Sequence, residues 1–498
     1  MNRAFSILLT FALLAGSVSC GGGKIDPEVP VVDPSVDPGT NPIKPDPTPQ
    51  PNNSRVFYVS VASGSDTATP DQAKDASTPW KSIGKGIASI QAGDTLVVLG
   101  GTYRERITID SRLSGTAEHP TLIVGGEGAA PVLDDEHDGK TDRWSSVIAL
   151  KGVAHVHLKG LSVANGGWYG ISTTDDCSDI VIEGCSTFNT RASGLYCTYV
   201  TGLLVTGNEV RKACQEHTRD SYGNGSQECI TIARAKDFRV VDNEIWGSEV
   251  DGAAGGEGID AKGASCDGEI AYNYIHDIVP LGIYVDAGSG ESHNVLVHSN
   301  LLVDTGGLSV AGELGGTAKD IYFYNNVIVR ARLSGITFQN IQNGKFVNVY
   351  VVNNTFVDTN KTGNFGGEIA NYGKNTGNAN IVVSNNIFYN AVGKQRFSVW
   401  MDYAAPCRIS GNLYCMFKPG NSGGENTFNK DDLTSADVVD QDPCFVDVAG
   451  GDYHLLPVSP AIGKGVPVML PDGSGLLFDT DADGKKRDAS HWSLGAFE

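Results

Sequence analysis

Three short segments between residues 257 and 313 repeat one pattern. Residues 257–262 read EGIDAK, residues 281–286 read LGIYVD and residues 307–311 read GLSVA, so their first glycines are 24 and 25 residues apart. Each segment has the length of a short β-strand, in which alternate side chains point to opposite faces. If the aliphatic side chains face inward, the other face carries Asp260, Lys262, Tyr284, Asp286 and Ser309. Strands stacked about 5 Å apart would gather these side chains on one flat, solvent-facing sheet.

Asparagines recur before short apolar strands on both sides of this stretch. They are spaced by 35, 30, 27, 26, 28 and 32 residues, at Asn208, Asn243, Asn273, Asn300, Asn326, Asn354 and Asn386. Such a repeat is typical of a solenoid with one turn per repeat and loops of differing length at one corner. Stacked asparagines can hydrogen-bond from coil to coil as a ladder. An antiparallel sandwich or a propeller would not need an asparagine in each repeat.

The first part of the chain after residue 55 contains motifs of a known family. Residues 56–59 (VFYV) predict a strand, and Thr78 followed by Pro79 predicts the start of a helix with the threonine as its cap. Residues 93–105 then read GDTLVVLGGTYRE. This stretch resembles the opening of right-handed parallel β-helix proteins active on polysaccharides. The resemblance implies an all-β, single-stranded right-handed parallel β-helix with an N-terminal helical cap.

The chain divides into four regions. Residues 1–20 contain Arg3, an apolar run and Cys20, which together predict an export signal. The end of this signal, SVSC, resembles a bacterial lipoprotein box and implies that Cys20 is lipidated; a plain signal peptide cut nearby is the alternative. Residues 21–54 are rich in proline and aspartate and predict an extended tether. We assign 55–440 to the β-helix catalytic domain and 441–498 to a C-terminal segment that caps the last coil, as in many secreted β-helix proteins.

Charge and composition restrict the partners. The three glycines after Cys20, followed by acidic residues, resemble the surface-export signals of Bacteroidetes lipoproteins. This resemblance implies a protein that is anchored in the outer membrane by its lipid and exposed at the cell surface. We expect the protein to be a monomer. The formal net charge is -21, and no dense basic stripe offers phosphate contacts, which argues against nucleic acid as a partner. No later stretch of sequence is apolar enough to predict a membrane span.

The first hypothesis for the outer face between residues 257 and 313 is a polysaccharide lyase. Such an enzyme takes the proton at C5 of a uronic acid and expels the 4-linked oxygen. Several β-helix lyase families use a basic side chain as base and calcium as neutraliser, and this implies Lys262 as base. Tyr284 and Asp260 are the other candidate catalytic residues. The hard oxygen ligands that could hold Ca²⁺ are Asp260, Asp286, Glu257 and Glu313.

The lysine base and the calcium ion depend on each other. Carboxylates beside Lys262 would raise its pKa and make it a poor base. A divalent cation on those carboxylates would reverse the sign of the local charge and ease proton loss. Lys262 is therefore a credible base only if the acids hold a cation or if a basic side chain such as Arg234 intervenes.

Two other hypotheses stay open at this point. A glycoside hydrolase needs one acid and one base or nucleophile, and Asp260 and Asp286 in neighbouring coils are candidates, with Glu228, Glu257 and Glu313 nearby. A non-catalytic glycan-binding protein would simply carry solvated acids on this face. Acids next to glycines in successive coils, flanked by insertions at residues 212–227 and 247–256, favour catalysis. The lyase is favoured slightly over the hydrolase.

The candidate substrate-binding residues are Arg234, Glu228, Tyr196 and Arg191. The two arginines belong to a basic concentration in an otherwise acidic chain, together with Arg211, Lys212 and Arg219. This concentration favours an anionic extracellular polysaccharide that contains uronic acid, either a glycosaminoglycan or a pectin-like chain. Aromatic rings such as Tyr196 can stack on sugar rings, although they can also pack under a loop.

Overall fold

The structure is a computed structural model that describes residues 55–498 apart from residues 129, 137–140, 222–224, 251–254, 340–341, 362–367, 373–376, 392–398, 401–406, 416–432 and 477. The predicted export signal, Cys20 and the tether lie outside the described residues. Among the helices that are described, none has the length and apolar composition needed to cross a bilayer.

Three parallel sheets run along the described part of the chain, and each full coil gives one strand to each sheet. Sheet A comprises Val56–Val59, Thr95–Val98, Thr121–Gly125, Ala154–Lys159, Cys177–Glu183, Val200–Thr206, Lys236–Val241, Cys266–Ala271, Glu291–His298, Thr317–Tyr324, Lys345–Val352, Ala379–Ser384 and Cys407–Ser410. Sheet B comprises Gly101–Tyr103, Pro131–Asp134, Ser162–Ala164, Ser186–Phe188, Glu209–Arg211, Glu244–Trp246, Tyr274–His276, Leu301–Val303, Val327–Val329, Thr355–Val357, Ile387–Tyr389, Leu413–Cys415 and Val438–Val439. Sheet C comprises Ile107–Asp110, Ser146–Lys151, Tyr169–Thr174, Leu195–Thr198, Ile230–Ala233, Ile259–Lys262, Ile283–Asp286, Leu308–Ala311, Ile336–Gln339, Ile369–Tyr372 and Val399–Trp400.

Each strand pairs in parallel with the strand one coil further along, so the chain forms a parallel β-helix and the predicted all-β solenoid is confirmed. The core lies between the three sheets and consists of aliphatic columns. One column on sheet C runs through Leu195, Ile230, Ile259, Ile283 and Leu308, which are in register and fully buried. Each such side chain contributes roughly 1.5–3 kcal/mol by burial, and their register fixes which residues point outward.

The N-terminal helix spans Ile83–Ser89, and its cap is Ser82, whose hydroxyl oxygen accepts a hydrogen bond from Lys85 N. The predicted start at Thr78 is therefore wrong. Trp80 is fully buried and forms a parallel bridge with Val59, so burial of its indole keeps this part of the chain extended. The side chain of Glu105 accepts hydrogen bonds from the backbone N–H groups of Ile83 and Gly84, both at 2.8 Å. The helix is thereby held against the first coils.

The asparagine ladder is confirmed. Each side-chain amide donates to the Oδ1 atom of the asparagine one coil further on, at distances of 2.9–3.1 Å from Asn208 to Asn386. Asn386 donates in the same way to Asn412 at 3.0 Å, which extends the ladder by one coil. The preceding residue has a left-handed backbone in every coil, as at Tyr272 (φ 56°) and Ser299 (φ 51°). The ladder satisfies the polar groups of this buried turn.

We expect Asn300→Ala to lower the free energy of unfolding by about 3 kcal/mol, because it leaves several buried partners without a hydrogen bond. Asn300 donates to Ile270 O and Asn326 Oδ1, and its own Oδ1 accepts from the backbone and side-chain amides of Asn273. Urea denaturation measures the loss. The matched control is Asn294→Gly, which removes an exposed asparagine and suits its left-handed backbone; its effect should stay below about 1 kcal/mol. Equal losses in both variants would contradict a stabilising ladder.

The described residues of the C-terminal segment pack along the side of the coils. Asn325, Asn353 and Asn385, on three successive coils, donate to the backbone oxygens of Thr480, Ser493 and Val466. The ring of Phe478 stacks on Tyr324 of sheet A at 4.0 Å. A short antiparallel pair, Phe445–Asp447 and Asp452–Leu455, belongs to this segment. Its position follows from the apolar outer surface of sheets A and B in these coils, which the segment buries.

Candidate active site

Sheet C places the predicted site residues on its outer face. The inward side chains of its two central strands are fully buried in the core, so Asp260, Lys262, Tyr284 and Asp286 point outward. Asp260 is in register with Tyr284, and Lys262 is in register with Asp286. The two aspartates are therefore offset by two residues and do not share a row. Asp260 therefore lies opposite Tyr284, whereas Asp286 lies opposite Lys262.

This face is not open to solvent, in contrast to the prediction. Asp260 is 4% exposed, Tyr284 5%, Asp286 8% and Ser309 0%, whereas Lys262 and Glu313 are partly exposed. Gln227 and Gly255, at the ends of the two insertions, form a parallel bridge. Gln227 and Glu228 contact the ammonium group of Lys262, and Tyr284 packs against Leu281 and Ala311. The polar site is therefore mostly buried, and its partly exposed members are Lys262 and Glu313.

Lys262 forms an ion pair with Glu228. The Lys262 Nζ atom donates to both Glu228 carboxylate oxygens, at 2.6 and 2.7 Å, and to Gln227 Oε1 at 3.1 Å, and Asp260 Oδ2 lies 3.9 Å away. Thr231 Oγ1 also donates to Glu228, at 2.8 Å. Burial lowers the pKa of Lys262, but the carboxylates of Glu228 and Asp260 outweigh it and leave the pKa above its ordinary value. The ammonium group therefore holds its proton in this arrangement.

Asp286 and Glu313 form a pair on neighbouring coils. Tyr284 Oη donates to Glu313 Oε1 at 2.6 Å, and the backbone N–H groups of Gly288 and Glu313 donate to Asp286 Oδ1 at 2.8 and 3.2 Å. Gly312 allows the turn before Glu313, because a Cβ there would meet the carbonyl oxygen of Gly316. Burial and then the nearby Glu313 charge raise the pKa of Asp286 to about 7. Asp286 therefore binds its proton up to a higher pH than an ordinary aspartate does.

The other two predicted metal ligands have buried oxygens without a hydrogen-bond partner in the described residues, namely Glu257 Oε2 and Asp260 Oδ1. Burial, followed by repulsion from Glu228, raises the pKa of Glu257 to about 8 and that of Asp260 well above its usual range. Carboxylates crowded in this way gain from a proton or from a hard cation such as Ca²⁺.

The oxygens of the four predicted calcium ligands do not, however, lie close enough together to surround one ion. Within the described ranges, ligand atoms from three acidic, histidine or cysteine residues come within 4.8 Å of one another only at Cys266, Asp267 and His293 on sheet A. The donor types on sheet C suit calcium, but at least some of its four predicted ligands would have to move to bind one ion. Calcium binding stays a prediction.

The raised pKa of Asp286 predicts a pH dependence of stability. Between about pH 4 and about pH 7, Asp286 keeps its proton in the folded protein but loses it in the unfolded chain. The free energy of unfolding therefore decreases as pH rises through this range. Between about pH 5 and about pH 8, we expect the free energy of unfolding to fall less in Asp286→Asn than in the wild type. Urea midpoints at several pH values measure the slope. Asp237→Asn, at an exposed acid on sheet A, should leave the slope unchanged; a wild-type slope in Asp286→Asn would contradict the assignment.

Aromatic side chains lie upstream of the acids on the same face. Tyr196, on the strand before Thr231, stacks on Tyr169 with ring centroids 4.0 Å apart. Trp144 lies 6.2 Å from Trp168 and 6.4 Å from Tyr169, centroid to centroid, and is 57% exposed. Tyr196 is thus close to the site, as predicted for a substrate-binding residue. No pattern in the sequence marks Trp144, because this residue precedes the strand Ser146–Lys151 and belongs to no repeat.

The two predicted substrate-binding arginines have different surroundings. Arg234 follows the strand Ile230–Ala233 at the edge of the site, with its guanidinium 5.2 Å from the ring centroid of Tyr199. Arg191 instead donates to Glu216 Oε2 at 2.8 Å and does not contact the acids of sheet C. Burial alone would raise the pKa of Glu216, but hydrogen bonds, including that from Arg191, lower it to about 2. Arg211 lies on sheet B over Phe188, so the predicted basic concentration is not assembled on one face.

Comparisons with known proteins agree with the fold. The solved structures with similar folds include XylC in complex with xylose (13% identity, TM-score 0.47, 89% of this chain and 98% of that one), pectate lyase Pel9A (14%, 0.48, 89% and 96%) and the A-module of the mannuronan C-5 epimerase AlgE4 of Azotobacter vinelandii (13%, 0.41, 64% and 91%). No curated protein sequence matches the chain. A family model described as a right handed beta helix region matches residues 146–328. This part of the chain is therefore a right-handed parallel β-helix.

Proposed function

We propose that the protein is a polysaccharide-active enzyme and that it hydrolyses glycosidic bonds with the Asp286–Glu313 pair. The observation that carries this proposal is the position of two acids on neighbouring coils, where the backbone N–H of Glu313 donates to Asp286 Oδ1 and each side chain is held by its own donors. Tyr284 orients Glu313, and two backbone N–H groups orient Asp286. A glycoside hydrolase needs one carboxyl group that gives a proton and one carboxylate that attacks or activates water. Asp286, with its raised pKa, is the candidate proton donor, and Glu313 is the candidate for the second role.

The reaction uses these groups in a simple sequence. The protonated carboxyl group gives its proton to the glycosidic oxygen while the bond from that oxygen to the anomeric carbon breaks. The ionised partner stabilises the positive charge that develops on the sugar. Water then adds its oxygen to the anomeric carbon and gives one proton to the carboxylate that had acted as the acid, which restores the pair. Tyr284 keeps its own proton, because burial and then the nearby carboxylates raise its pKa well above the ordinary value. It therefore acts as a hydrogen-bond donor that positions Glu313.

A polysaccharide lyase is the second candidate, and the unpartnered buried oxygens of Glu257 and Asp260 support it. A calcium ion held by Asp260, Asp286, Glu257 and Glu313 would neutralise a uronate carboxylate at this site. Lys262 would then serve as the base only after losing its proton. Its ion pair with Glu228 and its raised pKa oppose this step. The lyase thus requires a change in the surroundings of Lys262 that the hydrolase does not require.

Product analysis on a panel of neutral and acidic polysaccharides distinguishes the two candidates. The hydrolase is expected to release reducing ends without ultraviolet absorbance, and chelation of calcium should leave the rate unchanged. Absorbance from unsaturated uronyl ends, lost on chelation and in Lys262→Ala, would replace the hydrolase with the lyase. Specific binding to a glycan without either product would leave the non-catalytic binding protein.

We also propose that this enzyme acts at the cell surface, held in the outer membrane by a lipid on Cys20. The support is the lipoprotein-like sequence around Cys20 and the acidic segment that follows it. Cys20→Ala is expected to move the protein from the membrane fraction to the soluble fraction in cell fractionation. Unchanged membrane association of this variant would contradict the lipid anchor.

A further inference from the structure

We infer that Cys214 and Cys229 form a disulfide in the exported protein and that this bond joins the two ends of the insertion at residues 212–227. The inference goes beyond the proposed hydrolase and does not depend on it. It rests instead on the export that residues 1–20 predict, because disulfides form and persist in oxidising compartments outside the cytoplasm.

The two thiol groups contact each other inside the solenoid. Both side chains are fully buried, and the thiol of Cys214 is hydrogen-bonded to that of Cys229. The Cys214 Sγ atom also donates to the carbonyl oxygen of Gln227 at 3.3 Å, two residues before Cys229 in the chain. Both residues are thiols in the structure. Sulfur atoms that already contact each other need only a small movement of their side chains to reach bonding distance.

Backbone hydrogen bonds hold the two cysteines at this position. Cys214 N donates to Ala192 O at 2.9 Å, and Cys229 O accepts from Leu195 N at 3.1 Å, so both cysteines lie against one short stretch of the preceding coil. Cys229 N donates to Glu257 O at 2.7 Å, which ties it to the following coil as well. The position of the two thiols is therefore imposed by the main chain.

A bond between these sulfur atoms would restrict the residues beside the candidate active site. Glu228, directly before Cys229, forms the ion pair with Lys262, and Gln227 contacts the same ammonium group. The bond would turn the chain between Cys214 and Cys229 into a closed loop that ends at these two partners of Lys262. Closing such a loop restricts the unfolded chain and so favours the folded one.

The bond forms by thiol–disulfide exchange, with the disulfide of an oxidoreductase or of a small thiol compound as the oxidant. The thiolate of one cysteine attacks that disulfide and releases one of its sulfurs, and the thiolate of the other cysteine then attacks the mixed disulfide and releases the second sulfur. The cysteines lose two protons and two electrons, and the oxidant gains them as two thiols. Burial raises the pKa of Cys214 well above its ordinary value and disfavours its thiolate in the folded protein. We therefore expect the bond to form during export, before the coils close around it.

Thiol mapping of the exported full chain tests this inference. The protein is quenched in acid, denatured, alkylated with iodoacetamide, reduced and then alkylated with N-ethylmaleimide. Peptide mass spectrometry is expected to find N-ethylmaleimide on Cys214 and Cys229, and a linked pair of their peptides before reduction. Cys185 and Cys197 are also buried and serve as matched controls, which should carry the first reagent. The first reagent on Cys214 and Cys229, or a link from either of them to another cysteine, would overturn the inference.

Urea denaturation with and without dithiothreitol measures what the bond does. The unfolding midpoint of the wild type is expected to fall when the protein is reduced, whereas that of Cys214→Ser/Cys229→Ser should be the same in both conditions. Cys197→Ser should respond to the reductant as the wild type does. Equal shifts in the wild type and the double variant, or no shift in either, would overturn the inference.

The thiol map needs only the wild-type protein, so it decides the inference even where the double variant does not fold. Neither measurement involves a glycan. Failure of the proposed hydrolase would therefore appear only in the product analysis and would leave both results unchanged.

Discussion

Glu313→Gln and Asp286→Asn are each expected to lower kcat on the cleaved polysaccharide by about 10³-fold, because proton transfer by a positioned side chain contributes roughly 10²–10⁴. Both replacements keep the shape of the side chain and its capacity to accept the present hydrogen bonds. KM should change little, because neither amide removes the surface on which the substrate lies. Reducing-end assays over a range of substrate concentrations separate the two quantities.

The matched controls for these variants are Glu209→Gln and Asp237→Asn, which alter exposed acids on sheets B and A. Both should keep wild-type kcat and KM. The double variant Asp286→Asn/Glu313→Gln should be little slower than either single variant, because the two groups act as a unit. Single variants with kcat within a few-fold of the wild type would show that other residues carry the reaction.

Lys262→Met is expected to lower the free energy of unfolding by about 3–5 kcal/mol, because it leaves the Glu228 carboxylate buried without its ion-pair partner. Glu228→Gln should also destabilise the protein, since Lys262 then loses the carboxylate with which it pairs at 2.6 Å and keeps only Gln227 and the more distant Asp260. The double variant Lys262→Met/Glu228→Gln should recover much of the loss, as paired removal of buried charges often does. Urea denaturation of the four proteins forms a complete double-mutant cycle.

The same variants report on the reaction. In the hydrolase, the folded double variant is expected to keep kcat within about tenfold of the wild type, because general acid–base chemistry resides in Asp286 and Glu313. In the lyase, removal of the base would abolish activity even where stability is recovered. If the losses of unfolding free energy in the two single variants simply add up in the double variant, the ion pair is contradicted. If a stable double variant has no activity, Lys262 is favoured as a catalytic residue.

The repeat features of this fold could be predicted from the sequence because they depend on local periodicity. Alternation within a strand determines that Ile259 points inward and Asp260 outward, and the recurrence of asparagine predicts the ladder. The predicted helix start failed for a nonlocal reason. Thr78 and Pro79 form a plausible cap, but the bridge between Trp80 and Val59 keeps the chain extended until Ser82.

The contacts within the site depend on where loops lie, and the sequence contains no local signal for that. Lys262 and Glu228 are 34 residues apart, and Glu228 precedes the strand Ile230–Ala233 rather than lying in it. Asp260 is buried, although strand alternation alone placed it in solvent. The contact between Asp286 and Glu313 depends on a turn at Gly312 beyond the end of a strand. Periodicity therefore identifies the face, and residues outside the strands decide the partners.

The central claim is that the Asp286–Glu313 pair adds water across a glycosidic bond. Mass spectrometry of products formed in ¹⁸O-labelled water tests it most directly, with the wild type and Glu313→Gln compared on the same polysaccharide. For hydrolysis, the two fragments together should exceed the substrate by the mass of one water, and one ¹⁸O should be present at the new reducing end. Glu313→Gln should form these products about 10³-fold more slowly. Fragments whose masses sum to that of the substrate, with no ¹⁸O and an unsaturated end, would contradict hydrolysis and establish elimination.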